Sequence, residues 1–347
     1  MKKTIGFIDL FIDEWHANNY PKWIRESALK DEFEIALAWE KYTPAGKKDL
    51  KTWCADFGIA PAKSIAEVVE KCDCICVLAP SNPEVHEELA ELPLKSGKPV
   101  YVDKPFAPDR QAALRMFDLA RKHKTPLMSS SALRFGDELI EARKKLVSPL
   151  FVNTCGGGGN FPEYAIHQIE MIVSMLGTGA VALQVCGTAE QLTVTVRYPD
   201  RRLATMNYAP FWGFKLNAAS DGENVCQLDT LSNIFPNLLL KILEFYKSGV
   251  SVIGENEALL ALEEKPAEPK SHWCTPPFYF YKAEDVKKIK DAIADGCGTD
   301  APGSLVAWMC KHTVIHSMVM PGKRYDIGNL ESYEAVRFSY TGPGKRN

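Results

Sequence analysis

Along the first third of the chain, short apolar runs alternate with amphipathic stretches. Ile5–Leu10, Phe33–Trp39, Cys74–Ala79, Pro99–Val102 and Pro126–Ser129 read as strands. Pro21–Leu29, with proline in its first turn, Asp49–Phe57, Ile65–Lys71, Pro83–Lys95 and Asp109–Lys122 have helical spacing, and Ser96-Gly97 stops the fourth of them. Strands that are apolar throughout rather than alternating belong to a parallel sheet covered on both faces. Right-handed crossovers then give a doubly wound, Rossmann-like α/β domain over residues 1–130. Beyond about residue 150 the rhythm changes. Val181–Gly187, Leu192–Tyr198, Leu203–Tyr208, Phe214–Ala219 and Asn224–Leu228 are strands joined by turns such as Pro199-Asp200 and Asp221-Gly222, with helices Glu163–Leu176 before and Asn237–Lys247 after them. Short turns mean antiparallel pairing, so 131–262 is expected to be an α+β domain with a mainly antiparallel sheet. A third pattern covers 263–347. Prolines exclude a helix from Lys265–Pro277, and Phe278–Tyr281, Val286–Ala294, Ala301–Lys311 and Val314–Met320 then read strand, helix, helix, strand, an appended C-terminal α/β segment with a frayed end at Thr341–Asn347.

Composition narrows the function classes. A length of 347 residues suits two or three domains, and 41 basic against 44 acidic residues, a net charge of −3, give no electrostatic reason for nucleic-acid binding. No apolar run reaches membrane-spanning length, and Met1-Lys2-Lys3-Thr4 leads directly into a strand without a signal-peptide core, which predicts a cytoplasmic protein. Ten cysteines occur without one C-x-x-C pair, so no zinc site is expected. Cys72, Cys74 and Cys76 alternate, as buried thiols on one strand face would.

In a doubly wound domain ligands bind at the carboxyl ends of the strands. A dinucleotide site usually follows the first strand with G-x-G-x-x-G, whose bare backbone admits a pyrophosphate to a helix N-terminus. Here the turn reads Ile8-Asp9-Leu10-Phe11-Ile12-Asp13-Glu14-Trp15-His16, with no glycine and three carboxylates. The second strand ends on Glu40, which could bind an adenosine ribose or be a solvated surface group. Gly156–Gly159 reads as a lip over a substrate or as a loose turn.

Ala79-Pro80-Ser81-Asn82-Pro83-Glu84-Val85-His86, followed by Gly97-Lys98-Pro99-Val100-Tyr101-Val102-Asp103-Lys104-Pro105, resembles the glucose–fructose oxidoreductase and inositol dehydrogenase (Gfo/Idh/MocA) family, where the text runs T-P-N-x-x-H and G-K-x-V-x-x-E-K-P. Glu163-Tyr164-Ala165-Ile166-His167-Gln168-Ile169-Glu170 resembles that family's D-x-x-x-H-x-x-D helix, and the likeness extends over about 1–262. The resemblance implies an NAD- or NADP-dependent oxidoreductase acting on a sugar, polyol or related hydroxyl compound. It places the catalytic lysine on Lys104, with His167 and Glu163 beside it, and cofactor contacts on Asp9, Phe11, Glu40, Ala79, Pro80, Asn82, His86, Asp103, Lys104 and Arg134. Substrate contacts fall on His16, Lys104, Glu163 and His167. Asp103 stands where the family has Glu, and Glu163 where it has Asp. A base with a tuned pKa is what alcohol oxidation requires, and lysine and histidine supply one. His167 could equally be a satisfied core histidine. A homo-oligomer is expected, because the open face of such a sheet commonly meets another subunit.

Glu264-Lys265-Pro266, Phe278–Tyr281 and Gly322–Tyr333 resemble the C-terminal part of a sugar-1-phosphate nucleotidyltransferase. That likeness implies sugar-phosphate contacts at Glu264 and Lys265 and magnesium at Asp326, the only metal residue expected. The triphosphate loop of that family is absent from this chain. Two rivals to the oxidoreductase therefore stand: a non-catalytic sugar-binding or regulatory protein of the same fold, and a nucleotidyltransferase-related protein.

Overall fold

Six strands, β1 (Lys3–Asp9), β2 (Phe33–Glu40), β3 (Ala60–Pro61), β4 (Cys74–Val77), β5 (Val100–Val102) and β6 (Leu127–Met128), form one all-parallel sheet in the order β3-β2-β1-β4-β5-β6. They belong to a computed structural model that describes residues 2–254 and 286–297 together with Leu305, Trp308, Met309 and His312. Glu264, Lys265, Asp326 and most of the elements predicted beyond residue 263 lie outside the described residues. The chain divides into two compact units, 1–273 and 274–347. In the second, a short helix at Ile289–Ala294 falls inside the predicted Val286–Ala294.

Period-two alternation distributes the strand residues between two cores. Ile5, Phe7, Cys74 and Cys76 face α1 (Trp15–Glu26) and α2 (Leu50–Phe57), whereas Ile8, Ile75 and Val77 face α3 (Ile65–Lys71), α4 (His86–Leu94) and α5 (Arg110–His123). All of these strand residues are at most 2% exposed, which is why the runs carry no polar alternation. Strand order reverses between β2-β1 and β4-β5, so the ligand crevice of the fold opens beyond Asp9 and Val77.

Two local expectations are corrected. The first helix begins at Trp15, not Pro21, because the Glu14 side chain accepts from the amides of His16 and Ala17 and starts the helix early. Pro21 then lies inside the helix, where one i→i−4 hydrogen bond is given up. Cys72 is not on the strand: it ends α3 and packs in the α3 core, opposite Cys74 and Cys76. Cys54, Cys72, Cys74 and Cys76 form no disulfide, and burial pushes Cys54 and Cys72 up to about 11 and Cys74 to about 12, as inert core thiols should be.

A second sheet has the order β12-β11-β7-β10-β9-β8, built from β7 (Phe151–Gly156), β8 (Ala182–Gly187), β9 (Leu192–Arg197), β10 (Leu203–Tyr208), β11 (Lys215–Ala219) and β12 (Val225–Leu228). Its pairs are antiparallel except β7–β10, and α6 (Asp137–Lys145) and α7 (Phe161–Leu176) accompany it. Gly156 and Gly157, at and just past the end of β7, are tightly packed rather than a loose turn. A Cβ on Gly156 would meet the Phe214 ring at 2.3 Å, and one on Gly157 the Ala209 carbonyl at 2.2 Å. The helix α8 (Ile234–Ser248) returns to the first sheet. Division at residue 131 groups α8 with the second sheet, yet Leu238, Leu239, Ile242, Leu243, Phe245 and Tyr246 share a core with β1 and α1.

Candidate active site

The first wall of the crevice is the β1–α1 turn. Asp9 ends β1 fully buried; its Oδ1 accepts from the amides of Leu10 (2.7 Å) and Ala79 (3.1 Å), while its Oδ2 has no hydrogen-bond partner. Burial, then the nearby Glu14 carboxylate, pushes its carboxyl well above the ordinary range. Glu40 is engaged at both oxygens, by the amides of Ile12 (2.9 Å) and Leu50 (3.0 Å) and by the Thr43 hydroxyl. Phe11 lies edge-on to Tyr42 with Lys47 above its ring, and Asp13 takes Asn18 and the Lys48 amide.

The second wall follows β4. Ala79 adopts a left-handed backbone, φ +63°, pinned through its amide to Asp9 and with its carbonyl 3.0 Å from His86 Nε2. His86 is fully buried and its Nδ1 lies 3.1 Å from the Phe106 carbonyl, so both ring nitrogens are occupied by main chain and neither is left for a ligand. Pro80 and Asn82 are partly exposed, and Asn82 donates to Glu84.

The third wall follows β5. Asp103 is 1% exposed and its Oδ1 accepts from Tyr20 (3.3 Å) and Tyr101 (3.2 Å), two buried phenols that burial and this carboxylate keep protonated. His16 stands between two acids, Nδ1 3.4 Å from Glu14 and Nε2 3.8 Å from Asp103. Lys104, partly exposed, follows and forms a cis peptide with Pro105. Among the described residues its ammonium has no hydrogen-bond or ion-pair partner.

The fourth wall comes from α7. Its N-cap Asn160 accepts from the Glu163 amide and donates to Glu163 Oε2, while Glu163 Oε1 accepts from Ser81 at 2.6 Å, joining α7 to the turn after β4. One turn on, His167 Nδ1 lies 2.6 Å from Ser131 Oγ. Burial, then the charges of Lys104 and His16, press its pKa down to about 3, so the ring is neutral at ordinary pH. Arg134 does not face an open crevice. It forms a buried ion pair with Glu170, Nη1 to Oε2 3.1 Å.

The structure thus gathers His16, Asp103, Lys104, Glu163 and His167, with Asp9 and Ala79 at the adjoining strand ends. It engages Glu40, His86 and Arg134 in internal bonds. Sequence reasoning missed Tyr20, Tyr101, Ser81 and Ser131 and gave Glu14 no role. Only Glu14 left a signal, as an acid just ahead of a helix. A nicotinamide cofactor meets this site unevenly. The end near Lys104 and His167 offers an unpaired ammonium and a neutral imidazole, whereas the start of α1 is occupied by the Glu14 carboxylate.

Residues 21–131 match the model of an oxidoreductase family with an NAD-binding Rossmann fold. An uncharacterized oxidoreductase of Schizosaccharomyces pombe is 28% identical over 117 residues, 34% of this chain, and the match covers only 31% of that relative's length. A dehydrogenase (MviM) from Clostridium difficile is similar in structure with a TM-score of 0.60 at 18% identity, over 75% of this chain and 96% of its own. So is a scyllo-inositol dehydrogenase from Lactobacillus casei solved with NAD(H) and scyllo-inositol, TM-score 0.61 at 14% identity, over 75% and 93%. At such identities the likeness speaks for the fold.

Proposed function

We propose, for a chain whose Rossmann domain belongs to the Gfo/Idh/MocA oxidoreductases with their NAD-binding fold, that it is an NAD(P)-dependent oxidoreductase of a sugar, polyol or related hydroxyl compound. The observation that carries this reading is Lys104, an unpaired ammonium at the carboxyl end of β5, within electrostatic reach of the neutral His167. The nicotinamide, when bound, exchanges a hydride with the carbinol carbon; the chain's own residues manage the proton. Lys104 is the proton-handling residue. His167, which resists protonation, hydrogen-bonds the same hydroxyl and is oriented by Ser131. Glu163 acts through position, holding α7 against Ser81. His16, between Glu14 and Asp103, faces the same hydroxyls as a substrate contact.

A thermal-shift titration with NADH and NADPH tests the reading. Occupancy at 100 times Kd stabilises by about 2.7 kcal/mol, a rise of several degrees. Lys104→Met keeps the aliphatic stem and is expected to melt like the wild type while kcat and kcat/KM with the working substrate fall by about 10²–10⁴. Near-wild-type turnover would remove the lysine from the mechanism. The second reading, a sugar-binding protein without catalysis, is favoured by the carboxylate at the start of α1, and absence of any shift with either nucleotide at millimolar concentration would select it. For a homo-oligomer, the open face of the second sheet offers a polar ladder in which Asn153 donates to Thr205 (2.6 Å) and Thr193 to Asn207 (2.8 Å).

A further inference from the structure

We propose that the Glu14 carboxylate is an internal substitute for the cofactor pyrophosphate, so that a dinucleotide can seat in the usual manner only by displacing it. The inference rests on the oxidoreductase reading and specifies how its cofactor is admitted. It starts from an alignment of spacing: in Asp9-Leu10-Phe11-Ile12-Asp13-Glu14, the three positions that G-x-G-x-x-G would leave bare carry Asp9, Phe11 and Glu14. The glycines of such a turn let a pyrophosphate touch backbone amides and the first turn of the helix.

Here most of those amides are spent. The Leu10 amide goes to Asp9 Oδ1 at 2.7 Å and the Ile12 amide to Glu40 at 2.9 Å. The Glu14 amide goes to the Ile12 carbonyl at 2.8 Å. At the start of α1, His16 and Ala17 donate to the two oxygens of Glu14 at 2.7 and 2.5 Å, and Asn18 to the Glu14 carbonyl at 2.9 Å. Glu14 therefore does for the helix what a bound phosphate does elsewhere: it supplies negative charge and acceptors to the positive end of the dipole.

A second, independent observation points the same way. Asp9 Oδ2, His16 Nδ1 and Asp103 Oδ2 are buried without hydrogen-bond partners around this turn. Two carboxylates, Glu14 and Asp103, thus flank His16 beside the place where the fold ordinarily receives a dianion, and negative charge at close range opposes its entry. Cofactor binding becomes an exchange of one anion for another, so its affinity carries the free energy of releasing Glu14.

Isothermal titration of the full chain with NADH, ADP-ribose and AMP decides the matter. Glu14→Ala is expected to lower the melting temperature without ligand, because a cap is lost, and yet to bind NADH and ADP-ribose at least tenfold more tightly than the wild type. AMP, which lacks the pyrophosphate, should gain nothing. Glu14→Gln, whose amide oxygen can still cap, should show a smaller gain in the same direction, and it decides alone if the alanine variant does not fold. Equal or weaker NADH binding by the folded variants would overturn the proposal while leaving the oxidoreductase reading in place. Failure of wild type and variants alike to bind NADH or NADPH would remove that reading, and the proposal with it.

Discussion

At the scale of single residues, the site is governed by what burial does to charge. An imidazole in an unfolded chain takes its proton near pH 6.5, whereas His167 does so only at about 3. Between those values the unfolded state holds the extra proton, so His167 costs the fold stability as pH drops through this window, and the loss levels off below it. By pH 5 it amounts to about 2 kcal/mol. His167→Asn, which cannot titrate, is expected to flatten the fall in urea midpoint between pH 7 and pH 5; an identical fall in both proteins would locate the acid sensitivity elsewhere. The lysine-proline and histidine motifs were legible as text because residue type and spacing carry them. The partners of Asp103 were not. Tyr20 lies 83 positions away and reaches it only through the packing of α1 on the sheet.

At the scale of elements, period-two and helical spacing sufficed wherever one face was apolar. Strands β1, β2, β4 and β5 and helices α2, α3 and α5 fall within a few residues of their expected positions. The pattern was silent for β7, whose Asn153 and Cys155 alternate with Val152 and Thr154, so that neither face looks apolar enough to declare a strand. It was silent too for α6, a helix with only Leu139 and Ala142 buried. The short 3₁₀ turn Ala132–Phe135 and α7 are joined by the buried Arg134–Glu170 pair. Breaking a buried pair from one side costs on the order of 3–5 kcal/mol. Glu170→Gln is accordingly expected to lower the denaturant midpoint with an unchanged slope, and a loss below about 1 kcal/mol would mean the pair does not hold this junction. The expected homology of Arg134 with a cofactor contact could not reveal this, since an acid 36 positions away occupies it.

At the scale of the whole molecule, the described residues of the three hydrophobic cores all lie between Ile5 and Ile253. A chain ending at Trp273, the limit of the first compact unit, is therefore expected to unfold in a cooperative transition and to bind NADH as the full chain does. A broad, non-cooperative melt would show that residues beyond 273 are needed. Both sheets and their order of appearance could be read in advance, but the return of α8 to the first sheet could not, because an amphipathic helix does not state which apolar surface it covers. That return has a consequence for synthesis. Lys3 Nζ reaches the carbonyl of Tyr246, and the Tyr246 hydroxyl donates to Ile75 at 2.8 Å, so the first 130 residues leave the ribosome with the part of this core that α1 and α2 do not cover still bare. At about 5–20 residues per second, roughly 6–25 s pass before α8 emerges to cover it. During that interval the nascent Rossmann domain exposes the apolar surface that α8 later covers, which makes this part of the chain a natural client for a ribosome-associated chaperone.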